Sequence, residues 1–204
     1  MPVTTLSAIN DVLRRIGKPV VAALDTGGGS LSSYAERALD DASKTAQQEG
    51  WTWNTKANVQ IAVNGEGKYD VSNLEGDSSS ILSVDADREQ GETINVVRKG
   101  DFLYDLDNNT FTPANGTMKV TYVYQRPVAE LPDSFAKWAV ALAALNFSRQ
   151  FYYDKSREQI IVVELDDARR LAVNEEIRIV DVNVLDTANM RQIRGRPRMR
   201  DRRI

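Results

Sequence analysis

Apolar positions along this chain follow a helical period, then an alternating one, then a helical one again. Leu6, Ile9, Leu13 and Ile16 share one helical side and predict a first helix over 6–16. Thr5 or Ser7 would open it, Gly17 would close it, and Pro19 lies beyond. A second helix is predicted over 32–48, with Ser33 and Glu36 spaced as a capping box. Its apolar side is mostly alanine (Ala35, Ala38, Ala42 and Ala46, with Leu39), so a partner helix can come close, and Gly50 ends it. The period changes at Trp51-Thr52-Trp53-Asn54. Ala57, Val59, Ile61 and Val63 then alternate with polar residues, the mark of a half-buried strand. Asn64-Gly65-Glu66-Gly67 reads as a turn and Tyr69-Asp70-Val71 as a short return strand. Further short strands are predicted at 81–84, 93–98, 101–104 and 117–124, the last with Met118, Val120, Tyr122 and Tyr124 on one face. Lys99-Gly100 and Asp107-Asn108-Asn109 supply the hairpin turns. Strands at this spacing suggest a small antiparallel sandwich or barrel.

The most apolar stretch follows Leu131-Pro132-Asp133-Ser134-Phe135. Pro132 is placed where a first helical turn tolerates a missing N–H, with Asp133 and Ser134 available to complement the free donors. The run Trp138-Ala139-Val140-Ala141-Leu142-Ala143-Ala144-Leu145 is apolar on nearly every side, so the helix must be covered by other helices or by neighbouring chains. Phe135, Trp138, Leu142 and Leu145 are the expected bundle core. Lys137 and Arg149 bound the apolar stretch too closely for a membrane span. Tyr152-Tyr153-Asp154-Lys155 turns the chain into a fourth helix over 156–180, with Ile161, Leu165, Ala168, Leu171 and Ala172 as its apolar stripe. Periodicity fades from Asp181 onward.

The fold class expected is therefore α+β: an antiparallel bundle of about four helices, an inserted antiparallel β module and an extended tail. Residues 1–52 and 131–180 make the bundle, 53–130 the β module, and 181–204 the tail. Trp51 and Trp53 flank the change of period and are expected to anchor the module to the bundle.

Composition narrows the chemistry. The chain has no cysteine and no histidine, which excludes disulfides, thiolate zinc sites and histidine-based catalysis. Met1-Pro2-Val3-Thr4-Thr5 has neither a basic start nor an apolar run, so no signal peptide is expected. Net charge is −3, unevenly placed. Seven arginines (Arg191, Arg194, Arg196, Arg198, Arg200, Arg202 and Arg203) and one aspartate give 191–204 a charge of +6, which leaves 19 basic and 28 acidic residues, or −9, in the rest. Such a tail cannot build a core and is expected to order on binding phosphate, an acidic neighbouring subunit or another acidic surface.

Other motifs favour plainer readings. Gly27-Gly28-Gly29-Ser30 and Gly65-Glu66-Gly67-Lys68 lack the ending of a phosphate-binding loop and read as linker and hairpin turn. Asp105, Asp107 and Asn109 start like a calcium loop, but Thr110 and Gly116 stand where its glycine and glutamate belong. Asp166-Asp167 and Glu175-Glu176 could supply paired carboxylates for glycan hydrolysis. Adjacent helical residues point in different directions, so a solvated acidic face is the better reading.

Taken together, several segments resemble one family. They are Leu6-Ser7-Ala8-Ile9-Asn10-Asp11-Val12-Leu13 with Ile16-Gly17-Lys18-Pro19; Gly50-Trp51-Thr52-Trp53-Asn54; Leu131-Pro132-Asp133-Ser134-Phe135 with Trp138; and Asp166-Asp167-Ala168-Arg169-Arg170-Leu171. The family is tail tubular protein A of short-tailed bacteriophages, the head-to-tail adaptor or gatekeeper. The resemblance implies a structural virion protein with no enzyme activity and no cofactor, made in the host cytoplasm and placed in the tail at the portal vertex. It implies a ring of twelve copies between the portal protein and the nozzle protein (tail tubular protein B), with DNA passing through the centre without specific recognition. Two other functions fit the residues: a non-specific DNA-binding head-completion protein using the arginine tail, and a carboxylate-dependent glycan hydrolase of the tail.

Overall fold

The computed structural model describes residues 3–24, 29–72, 74, 81–88, 93–111 and 117–185. The first helix, α1 (Thr5–Arg15), starts one residue earlier than its apolar spacing predicts, because Thr4 is the cap. Thr4 Oγ1 accepts the Ser7 N–H at 3.1 Å and the Thr4 N–H donates to Ser7 Oγ at 2.9 Å. At the other end the Lys18 N–H donates to the Leu13 carbonyl and the Gly17 N–H to that of Arg14. Gly17 makes that closure possible at φ +73°. The Asn10 amide then holds the following segment, bonding both the carbonyl and the N–H of Val21.

The next helix, α2 (Leu31–Gln47), is capped by Ser30, whose Oγ accepts the Ser33 N–H at 3.3 Å. The cap is therefore one turn earlier than the predicted Ser33–Glu36 box, and the Ser33 hydroxyl instead donates to the Ser30 carbonyl at 2.9 Å. The third, α3 (Asp133–Phe151), has Pro132 as its cap residue with no side-chain cap bond. Ser134 donates its hydroxyl to Glu175 instead. As its composition predicts, α3 is buried on most sides, including Phe135, Trp138, Val140, Leu145 and Phe147. The fourth, α4 (Lys155–Leu185), runs 31 residues and so extends about 46 Å.

The helices form a layer with α3 in the middle. It packs mainly against α2 and α4, and α1 lies over α2 and α3. Residues just after α2 meet the start of α3 (Trp51 on Phe135, centroids 4.8 Å apart), while Tyr34 near the start of α2 meets Phe151 at its end. These two helices are thus antiparallel. Arg149 at the end of α3 pairs with Glu158 near the start of α4 at 2.6 Å, so α3 and α4 are antiparallel too. It follows that α2 and α4 point the same way, both packed on α3, with Glu49 and Thr52 just after α2 bonded to Arg169 and Glu176 of α4.

Residues between α2 and α3 form two antiparallel sheets. The larger has the order β1-β6-β2-β3, with β1 Thr55–Ala62, β2 Ile81–Arg88, β3 Thr93–Ile94 and β6 Thr117–Tyr124. The smaller is the hairpin of β4 (Val96–Lys99) and β5 (Phe102–Asp105). The predicted strand over 93–98 is broken at Asn95, and Tyr69-Asp70-Val71 contributes only isolated bridges, Val63 to Tyr69 and Asp70 to Phe102. A register shift between Lys56 and Val59, with Asn58 at φ +58°, turns Ala57 out to solvent. The predicted alternation therefore holds only from Val59 onward. Met118, Val120, Tyr122 and Tyr124 face a second core with Ile61, Val71, Ile81, Ala86 and Leu103, separate from the helical core. The architecture is α+β.

Candidate assembly surface

The longest helix is also the least covered. An Asp154 carboxylate oxygen caps α4, accepting the N–H groups of Ser156 at 2.9 Å and Arg157 at 3.3 Å. Ile161 and Ala172 are fully buried against α3, with Leu165, Ala168 and Val173 partly so. Polar ties line that same side: Glu164 with Arg15, Arg169 with Glu49 at 3.1 Å, Glu175 with Ser134, and Glu176 with the Thr52 N–H at 2.7 Å. Leu171, predicted to join the inner stripe, is instead 58% exposed. It lies with Ile160 (61%) and Val163 (63%) on an outer stripe, about 120° round the helix from the buried one at 3.6 residues per turn. Val162 and Ile177 are exposed as well. Fully burying a side chain of this kind contributes about 1.5–3 kcal/mol. The outer stripe thus holds several kcal/mol that the isolated chain does not use. Patches of this sort mark contact surfaces.

A second exposed helix side is the outer side of α2. Tyr34 is 38% exposed and leans on Phe151, with ring centroids 5.2 Å apart. Arg37, Asp41, Thr45 and Gln48 continue that side in solvent. Beside them Lys44 bonds Asp40 at 2.7 Å, and that hydrogen bond, followed by the Asp40 charge, raises the lysine above its ordinary value.

The residues expected to anchor the β module lie where the chain leaves and re-enters the helical layer. Trp51 is buried, edge-on to Phe135 and to Trp138, and its indole N–H donates to the Ala46 carbonyl at 2.7 Å. Trp53 packs on the other side of Phe135, with centroids 5.1 Å apart. Of the expected bundle core, Phe135, Trp138 and Leu145 are buried and Leu142 is half-buried. Two residues that the apolar period does not reveal complete the junction. Buried Asn54 accepts the Trp51 N–H at 2.7 Å and donates to the Gln47 carbonyl at 3.0 Å, while its own carbonyl receives the Tyr124 N–H from β6. Gln47, equally buried, bonds both the N–H and the carbonyl of Arg126, at 2.7 and 3.0 Å. The segment after β6 is thereby fastened to the end of α2. A polar residue directly after an aromatic pair at a change of period is the one sequence signal for Asn54.

Chemical groups elsewhere are held in structural bonds. Asp166 and Asp167 are exposed and pair with Arg170, while Glu175 and Glu176 bond Ser134 and Thr52, so the four carboxylates do not converge on one cleft. One Asp105 oxygen accepts the N–H groups of Asp107 and Asn108 and the other accepts from the Asn108 amide, a side-chain-closed turn. Asp70 is held below the usual carboxylate range by hydrogen bonds from the Ser72 hydroxyl and N–H. Among the described residues there is no cluster of three metal-ligating side chains, and no helix is long and apolar enough to cross a membrane. Gly27, Gly28, Gly116 and the seven arginines of 191–204 lie outside the described residues.

An α+β chain whose longest helix leaves an apolar face to be covered, and whose charged groups tie helices together, belongs to the class of structural assembly subunits. The comparison with known families makes this specific: a family model described as tail tubular protein matches residues 6–181. The chain belongs to the tail tubular protein family and is a structural component of a phage tail. A search of curated proteins gives no match.

Proposed function

We propose that the chain is the head-to-tail adaptor of a short-tailed phage, a closed ring of about twelve copies joining the portal protein to the nozzle protein. The observation that carries this reading is family membership over 6–181 combined with an uncovered apolar stripe along α4. A closed ring uses heterologous contacts, one face of each subunit against a different face of the next. A component of a packed assembly needs such faces. In this account the helical layer, 1–52 with 131–180, carries ring and portal contacts, and the β module, 53–130, faces the nozzle. Trp51 and Trp53 lock the two together.

The body without 191–204 carries −9, so a channel lined by it repels the phosphates of passing DNA and leaves the duplex free to slide. The arginines of 191–204 reach the portal side and engage carboxylates through forked contacts. Deleting 191–204 is expected to leave the circular dichroism and unfolding midpoint unchanged and to abolish stable attachment to the portal. Unimpaired attachment of the truncated chain would refute the role given to the arginines.

The arginine run also supports a second reading, non-specific binding to packaged DNA. A gel shift at low and moderate salt separates the two. The adaptor reading expects little affinity from the isolated chain, whereas a DNA binder retards the duplex at low salt and loses affinity steeply as salt rises.

A further inference from the structure

We infer that the outer stripe of α4 docks on the outer side of α2 of the next copy, with the two helices parallel. This rests on the ring reading and names the surfaces that would build it. The occupant is a second copy for two reasons given by the fold. First, α2 and α4 both pack on α3 and each leaves a different outer side exposed, so placing one of these sides against the other repeats the same contact without using up either surface. Both helices also point the same way within one chain. Rotation about an axis running along the layer preserves that direction, so α4 meets the neighbouring α2 in parallel.

Second, one register gives Tyr34 an apolar partner and sets charge beside opposite charge. Setting Tyr34 beside Val163 places Arg37 beside Asp166 and Asp167, and Asp41 beside Arg170 and Leu171. Arg37 is exposed and has no partner among the described residues, and Asp167 and Arg170 are more than half exposed. The same register sets Thr45 beside Asn174 and Gln48 beside Ile177 and Arg178. The antiparallel alternative brings Arg37 toward Arg170 when Asp41 faces Asp166 or Asp167, stacking like charges.

The absence of cysteine from the chain makes the test direct. Full-length Tyr34→Cys and Val163→Cys variants are prepared separately, assembled alone and together, with and without the portal ring, and treated with a short bis-maleimide. Cross-linked dimer is expected only in the mixture, because each variant alone offers one half of a head-to-tail contact. A variant carrying both cysteines is expected to give a ladder of multimers. Val163→Glu combined with Leu171→Glu should remove both the ladder and the assembly while leaving the monomer's unfolding midpoint in place. Assemblies that form normally with the glutamate variant or without the mixed cross-link overturn this pairing alone. So does Val163→Cys linking to itself or to the portal protein. A wild-type chain that assembles neither by itself nor on the portal overturns the ring reading and the pairing with it.

Discussion

Asn54 carries more of the structure than its size suggests. Its buried side-chain amide serves the end of α2 and the Trp51 backbone, and its backbone carbonyl receives the Tyr124 N–H at the end of β6. Asn54→Ala strands the buried Trp51 N–H, at a cost of about 1–3 kcal/mol, while the Gln47 carbonyl keeps the Gly50 N–H. Urea unfolding should show a loss of that size or greater, whereas exposed Gln60→Ala on β1 should shift stability by no more than about 0.5 kcal/mol. A titration tests a second residue. Asp70 has a lowered pKa in the fold, so the stability it contributes is present above its unfolded value and is lost as pH falls through the folded value, below the ordinary 3.8. In a carboxyl-detected NMR titration Ser72→Ala should bring the Asp70 midpoint back up toward 3.8, because the hydroxyl and its hydrogen bond are the first cause of the shift. An unmoved midpoint would contradict that cause. Neither Asn54 nor Gln47 was legible as a junction residue. Buried polar side chains that close a backbone crossing follow no period, and only the partner backbone, far away in sequence, shows why they are needed.

Elements were more legible than their ends. Gly17, Gly50 and Pro132 mark helix boundaries because backbone geometry restricts what stands there; α1 and α2 differ from prediction in which serine or threonine caps them, and α4 runs on to Leu185 where the predicted helix ends at 180. The strand region departs from its prediction at three places: Asn95 breaks 93–98, Tyr69 and Asp70 form only isolated bridges, and at the Asn58 bulge a single inserted residue reverses which face the preceding side chains take. The assignment of Leu171 failed for a different reason. Helical spacing identifies apolar sides but does not say which of two has a partner inside the chain, and α4 has two. The difference is measurable in the isolated chain. Ile161→Ala, buried against α3, should cost about 2–5 kcal/mol of unfolding free energy. Leu171→Ala should cost no more than about 0.5 kcal/mol. Equal losses at the two positions would mean that the outer stripe is already covered in the monomer.

At the scale of the whole molecule, the chain makes sense as a part. Two separate cores keep the helical layer and the β sheets individually packed, and the bonds of Gln47 to Arg126 and of Asn54 to Tyr124 join them. What remains unsatisfied lies on the outer sides of α2 and α4 and in the charge of 191–204. The resemblance to the tail tubular proteins was legible from short motifs, and the family match over 6–181 agrees with it. The assembly surface was not legible, because an exposed leucine and a buried one look alike until the neighbouring helices are in place. The most direct test is native mass spectrometry of the full chain, alone and mixed with a portal ring. The account predicts a closed multimer of this chain, about twelve copies, seated on the portal. A chain that stays monomeric in both samples would contradict it.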